Sequence, residues 1–187
     1  MCGIDFEKIS KISPNKLLEI SGIVKPPVDP YLIAEKIGIK VDESLDWDKL
    51  TYDGEIYLSK TGCPEIWINP TDHINRRKFT LAHEIGHLVY DVIPNIDKFK
   101  DPIKDDYTTL RRGATRDLKE VVANRYAANL LMPETMIIDI GSKILEEYRE
   151  SEKKEKIPRD LFIKIMAKKF EVSEQAMEIR LKTLNII

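Results

Sequence analysis

The residues best suited to chemistry stand together in His83-Glu84-Ile85-Gly86-His87, an HExxH pattern. Imidazoles four residues apart lie one helical turn apart on one face, so both can reach a single metal ion. Glu84 follows the first histidine and points beside it, where it can take a proton from a water molecule without being a ligand. A zinc ion held there lowers the pKa of its water to roughly 7 and polarises a carbonyl for attack. The competing reading is a surface helix with two scattered histidines. Two features count against it. Only 3 histidines occur in the chain and two of them are here. The segment is also apolar around them, with Phe79, Leu81, Ala82, Ile85, Leu88 and Val89. That predicts a buried helix, and buried imidazoles need partners.

A catalytic zinc site needs a third protein ligand and an open position. The extended HExxHxxGxxH pattern is excluded, because Tyr90 and Ile93 stand where glycine and histidine are required. His73 precedes the helix and reads as a surface residue. Glu120 is the better candidate. It shares a helical stripe with Ala123, Asn124 and Ala127, and small residues opposite Gly86 would let two helix backbones approach closely. Asn124, one turn after Glu120, is placed to hydrogen-bond a ligand histidine and orient it. Glu120 also fits another role, as the third residue of a capping box with Asp117, facing solvent. The residue pattern leaves both readings open.

The elements that must position these groups are legible in outline. Residues 17–20 read as a short helix ended by Ser21-Gly22. Asp29 caps a second helix with Pro30 at its first position, and Gly38 stops it. Strand-like runs follow at 39–42, 55–58 and 66–69, with a hairpin loop at 59–64. A helix is predicted over 75–89 and another over 117–132, stopped at Pro133. Between them, 91–116 has little periodicity and reads as a lid or a mobile loop. Residues 134–156 form a helix with a highly charged end. Pro158 opens a final helical pair, with Ser173 capping its second member. The predicted fold class is α+β: a zincin-like single domain with a small N-terminal sheet, then an HExxH helix, a glutamate-ligand helix and C-terminal helices. Residues 1–25 are expected to be an N-terminal extension and 26–187 the domain.

Composition narrows the function. Thirty Lys and Arg against 32 Asp and Glu give a formal net charge of -2 over 187 residues. Such a balance disfavours a chain whose main work is gripping a phosphate backbone. Cys2 and Cys63 show no metal or disulfide spacing and read as free thiols. No signal peptide or membrane-length apolar run is present, so a cytoplasmic location without a membrane anchor is expected.

The segments 77–87, 120–124 and 127–133 closely resemble the ImmA/IrrE family of metallopeptidases. The likeness extends from about Pro26 to Leu184, through 26–41 at one end and 170–173 with Arg180-Leu181 at the other. This resemblance implies a gluzincin-like site: one zinc ion, His83, His87 and Glu120 as ligands, Glu84 as general base. It also implies a protein substrate, typically a helix-turn-helix repressor of the XRE type from a mobile element or stress-response operon. Many relatives carry another histidine where this chain has Tyr90, which is not a ligand in the pattern. Some carry an N-terminal DNA-binding domain, for which the residues before Pro26 are too few.

The group that stabilises the oxyanion is undecided among Tyr90, Tyr126, Arg125, His73 and the 91–116 loop. The substrate is expected to dock along a strand edge such as 66–69. The C-terminal pair, 161–177, has helix-turn-helix rhythm, but its would-be recognition helix opens Ser173-Glu174-Gln175 and includes Glu178, which suits packing better than phosphate contact. The alternative function is a non-hydrolytic, metal-bearing regulator or toxin–antitoxin component that binds a repressor. Glu84 speaks against it, since pure binding has no use for a carboxylate beside the metal.

Overall fold

In the computed structural model, residues 5–99, 101–105, 118–153 and 156–187 are described. The N-terminal part holds three short helices, α1 (Phe6–Ile9), α2 (Pro14–Ser21) and α3 (Pro30–Lys36). Their starts follow from local chemistry. Ser13 and Asp29 accept backbone N–H bonds from Lys16 and Tyr31, and Pro14 and Pro30 sit where a helix needs no N–H donor. Gly38, at φ 78°, turns the chain from α3 into the first strand in a backbone region that side chains disfavour.

Four strands form one sheet among the described residues: β1 (Lys40–Asp42), β2 (Gly54–Leu58), β3 (Pro64–Ile68) and β4 (Ile103–Asp105), in the order β1-β3-β2-β4. β2 and β3 pair antiparallel as the expected hairpin, with Ile56 opposite Ile66. β1 joins β3 in parallel, and β4 joins β2 antiparallel. This corrects the expected docking edge: β3 lies inside the sheet, its backbone already paired on both sides. It also places a strand inside 91–116. That strand is only three residues long and its Ile-Lys-Asp sequence has no alternation to read; backbone pairing with β2 defines it. The 106–116 part of the expected loop, Asp117 and Cys2 lie outside the described residues. Cys63 is a free thiol.

α4 (Ile74–His87) passes beneath the sheet and continues through a π turn (Leu88–Val92) and a 3₁₀ turn (Ile93–Lys98). The remaining helices of the described residues are α5 (Leu118–Leu131), α6 (Glu134–Glu152), α7 (Arg159–Phe170) and α8 (Glu174–Thr183). α4 packs most extensively against α5. One apolar core runs through the whole structure, from Ile9 and Leu17 through Ile33, Ile56, Ile66, Leu81 and Ile85 to Leu130, Phe170 and Leu181.

The C-terminal pair packs on the central helices. Phe162, Met166 and Phe170 of α7 and Met177 and Leu181 of α8 enter the core. Lys78 of α4 pairs with Glu171 at 2.5 Å, and the Nε of Arg180 donates to the Met132 carbonyl at 2.9 Å. Helix-turn-helix rhythm here comes from two helices burying their apolar faces on a neighbour. No helix of the described residues is long and apolar enough to cross a membrane.

Candidate metal centre

α4 is buried along its whole second half, from Thr80 to His87. His83 and Glu84 have no exposed surface and His87 has 1%. The third histidine has a different task. His73 is exposed and caps α4, its Nδ1 accepting the Asn75 N–H at 3.2 Å.

Glu120 reaches this buried pair from the first turn of α5. Its Oε2 lies 3.3 Å from His83 Nε2 and its Oε1 lies 3.1 Å from His87 Nε2. The two Nε2 atoms are 3.0 Å apart. Ligand atoms bonded tetrahedrally at zinc distances stand about 3.3 Å from one another. The three side chains therefore form a triangle of the size and donor chemistry that a zinc ion takes, and they could hold one.

The outer ring nitrogens are also engaged. His83 Nδ1 lies 3.1 Å from Asn124 Oδ1, and His87 Nδ1 lies 2.9 Å from Asp91 Oδ2. Each acceptor oxygen calls for a proton on Nδ1, so that with a metal bound the Nε2 lone pairs would be directed at the centre of the triangle; without one, Nε2 can carry a proton shared with Glu120. Burial alone would push the Glu120 carboxyl up. The hydrogen bonds from His83 and His87 outweigh it and hold the carboxyl well below the usual carboxylate range. His87 is raised in turn: burial acts downward, but its bonds to Glu120 and Asp91 prevail.

Two close backbone approaches make this possible. A Cβ on Gly86 would stand 3.2 Å from Ala123 Cα and 3.1 Å from Tyr126 Cβ, so α4 and α5 touch almost backbone to backbone. A short glutamate can thus reach across. A Cβ on Gly54 would meet Glu84 Oε1 at 2.5 Å and Thr80 Cγ2 at 2.8 Å. The end of β2 therefore rests directly on the Glu84 carboxylate.

A family model described as the IrrE N-terminal-like domain, peptidase M78, matches residues 34–182. The chain belongs to this family. No curated protein matches it. Membership and the His83, His87 and Glu120 cluster together identify a metallopeptidase of zincin-like fold.

Within this M78 domain the structure brings His83, Glu84, His87, Glu120 and Asn124 to one place and leaves His73 at the start of α4. Tyr126 is buried with its ring edge-on to Tyr90, centroids 5.7 Å apart. Its hydroxyl has no hydrogen-bond partner among the described residues, and burial pushes the phenol above its ordinary range. Asp91 is the neighbour that sequence reasoning missed. The signal existed: it stands four residues after His87, the spacing already used to pair the histidines.

Proposed function

We propose that the chain is a zinc-dependent endopeptidase of the cytoplasm that cuts a helix-turn-helix repressor of the XRE type and thereby relieves repression. The observation that carries the hydrolytic part is Glu84, fully buried beside both histidines yet placed under Gly54. The repressor as substrate rests on the family resemblance.

In this reading His83, His87 and Glu120 would hold a zinc ion, which when bound would supply an acidified water and a polarised carbonyl. Asn124 and Asp91 keep the imidazoles in their ligand orientation. Glu84 accepts a proton as the water oxygen attacks the carbonyl carbon, then delivers it to the amine nitrogen as the C–N bond breaks. Substrate backbone adds to the outer edge of β4, which has no partner strand among the described residues. The register supports this placement: β4 ends opposite Gly54, the residue that touches Glu84.

The test is metal content and cleavage, measured together. Wild type, Glu120→Ala and Glu84→Gln are purified, assayed for zinc, and incubated with the helix-turn-helix repressor encoded beside the gene. Wild type should hold one zinc ion and cut. Glu120→Ala should lose the metal, and Glu84→Gln should keep it and not cut. Cleavage or derepression that survives Glu84→Gln would overturn the hydrolytic reading and leave a metal-bearing regulator.

A further inference from the structure

Pro94 decides how the chain leaves the helix that carries His87. In a continuing α-helix the Val89 carbonyl would accept from the N–H of Ile93, and in a π turn from that of residue 94. Here the Ile93 N–H goes to the Leu88 carbonyl, in the π pattern, and Pro94 has no N–H to give. Val89 is fully buried, so water does not make good the loss. The donor comes from the N-terminal segment instead. The Lys11 N–H donates to the Val89 carbonyl at 2.9 Å.

The turn closed in this way is the one that carries Asp91. Asp91 Oδ2 lies 2.9 Å from His87 Nδ1, and the Asp91 carbonyl accepts from the Asn95 side chain at 2.9 Å. Lys11 adopts an uncommon backbone to make its bond. Its φ of 54° lies in the left-handed region, which is unfavourable for a residue with a side chain and persists where the surrounding structure imposes it. Ile9 and Ile12 on either side of it are buried in the common core. Behind them α2 packs against α5, the helix of Glu120 and Asn124. Residues 5–22 therefore hold α5 and the turn that continues α4. They precede residue 34, where the family match begins.

We propose that residues 5–22 are a clasp on the metal centre and that Lys11 is its positioning residue. The Lys11 N–H fixes the π turn, the turn fixes Asp91, and Asp91 keeps His87 in its ligand orientation. The clasp rests on His83, His87 and Glu120 holding a metal ion, but not on cleavage of any peptide.

The test is the zinc affinity of the full chain, read by competition with a chelator in a double-mutant cycle of Lys11→Pro and Asp91→Ala. Lys11→Pro removes the N–H and keeps Ile9 and Ile12 as anchors. It should weaken zinc binding by about tenfold or more, as loss of a ligand's orienting partner does. In the Asp91→Ala background the same substitution should cost less than about threefold, because its route to His87 is already cut. A merely structural role would cost the same in both backgrounds. Lys11→Gly keeps the N–H and suits the left-handed backbone, so it should bind zinc as wild type does.

Hydrogen exchange on wild type tests the clasp even where Lys11→Pro does not fold. Coupling between two sites is reciprocal, so saturating zinc should slow exchange of the Lys11 amide by about tenfold or more. The Ile186 amide, bonded to the Leu181 carbonyl at the far end of the chain, should not change. Unaltered affinity in Lys11→Pro, equal losses in the two backgrounds, an equal loss in Lys11→Gly, or Lys11 exchange indifferent to zinc overturns the clasp and leaves the metal centre standing. A wild type that binds no zinc removes the metal centre and the clasp with it. Clasp behaviour in a protein that cuts no peptide removes the peptidase alone.

Discussion

Asn124 and Asp91 are the residues through which the proposed metal centre is tuned without being ligands. Each accepts from an outer imidazole nitrogen, so each fixes a tautomer and a ring orientation at once. Loss of such a partner typically costs 10–100-fold in metal affinity. We therefore expect Asn124→Ala and Asp91→Ala each to weaken zinc binding by about 10–100-fold, read by competition with a chelator of known affinity. Unchanged affinity in both variants would remove the orienting role. Of this pair, Asn124 was readable from the sequence because it follows Glu120 by one turn. Asp91 follows His87 by the same spacing, but the predicted helix ended at 89, and its continuation as a π turn appears only in the fold.

At the scale of elements, two glycines set how closely the catalytic helix meets its neighbours. Gly86 permits the contact with α5. An added methyl there meets backbone and Cβ atoms that cannot swing away. Gly86→Ala should therefore destabilise the protein by about 1–3 kcal/mol, as overpacking does, and lower the melting temperature accordingly. Gly54 controls a different property. Its methyl would collide with Glu84 and Thr80 while leaving the three candidate ligands untouched. Gly54→Ala should cut turnover of a cleaved substrate at least tenfold, roughly the effect of about 1.4 kcal/mol on a barrier, with zinc content retained. Loss of zinc in that variant would show that β2 supports the ligands and not the base.

Across the whole molecule, the candidate ligands tie together helices that packing and the His83–Asn124 hydrogen bond already hold side by side. These ligands come from α4 and α5, and α5 in turn contacts α2 and, through Met132, Arg180 of α8. A metal that binds this assembled site and not the unfolded chain stabilises all of it. Free zinc at about one hundred times the dissociation constant adds about 2.7 kcal/mol. For a chain of this size that corresponds to a rise of about 5–10 °C in melting temperature, which a chelator should reverse. A melting curve indifferent to zinc and chelator would mean that the native state does not bind the ion.

What the sequence by itself determined is local in origin. HExxH spacing follows from the helical repeat. The starts of α3 and α8 follow from Asp29 and Ser173, whose side-chain oxygens accept N–H groups that a helix end leaves unpaired, whereas α2 starts at Pro14, ahead of the expected 17. The small stripe at Ala123 and Ala127 opposite Gly86 was readable because close helix contact demands missing side chains. Whether Glu120 faced solvent or the histidines was not decided by that pattern, since a capping box uses the same residue types. The tertiary structure decided it, by bringing α5 antiparallel against α4 with almost no side-chain volume between them. Strand order and the burial of β3 between β1 and β2 are of the same kind. Each depends on segments tens of residues apart, and their pairing is chosen by the common core, not by any spacing along the chain.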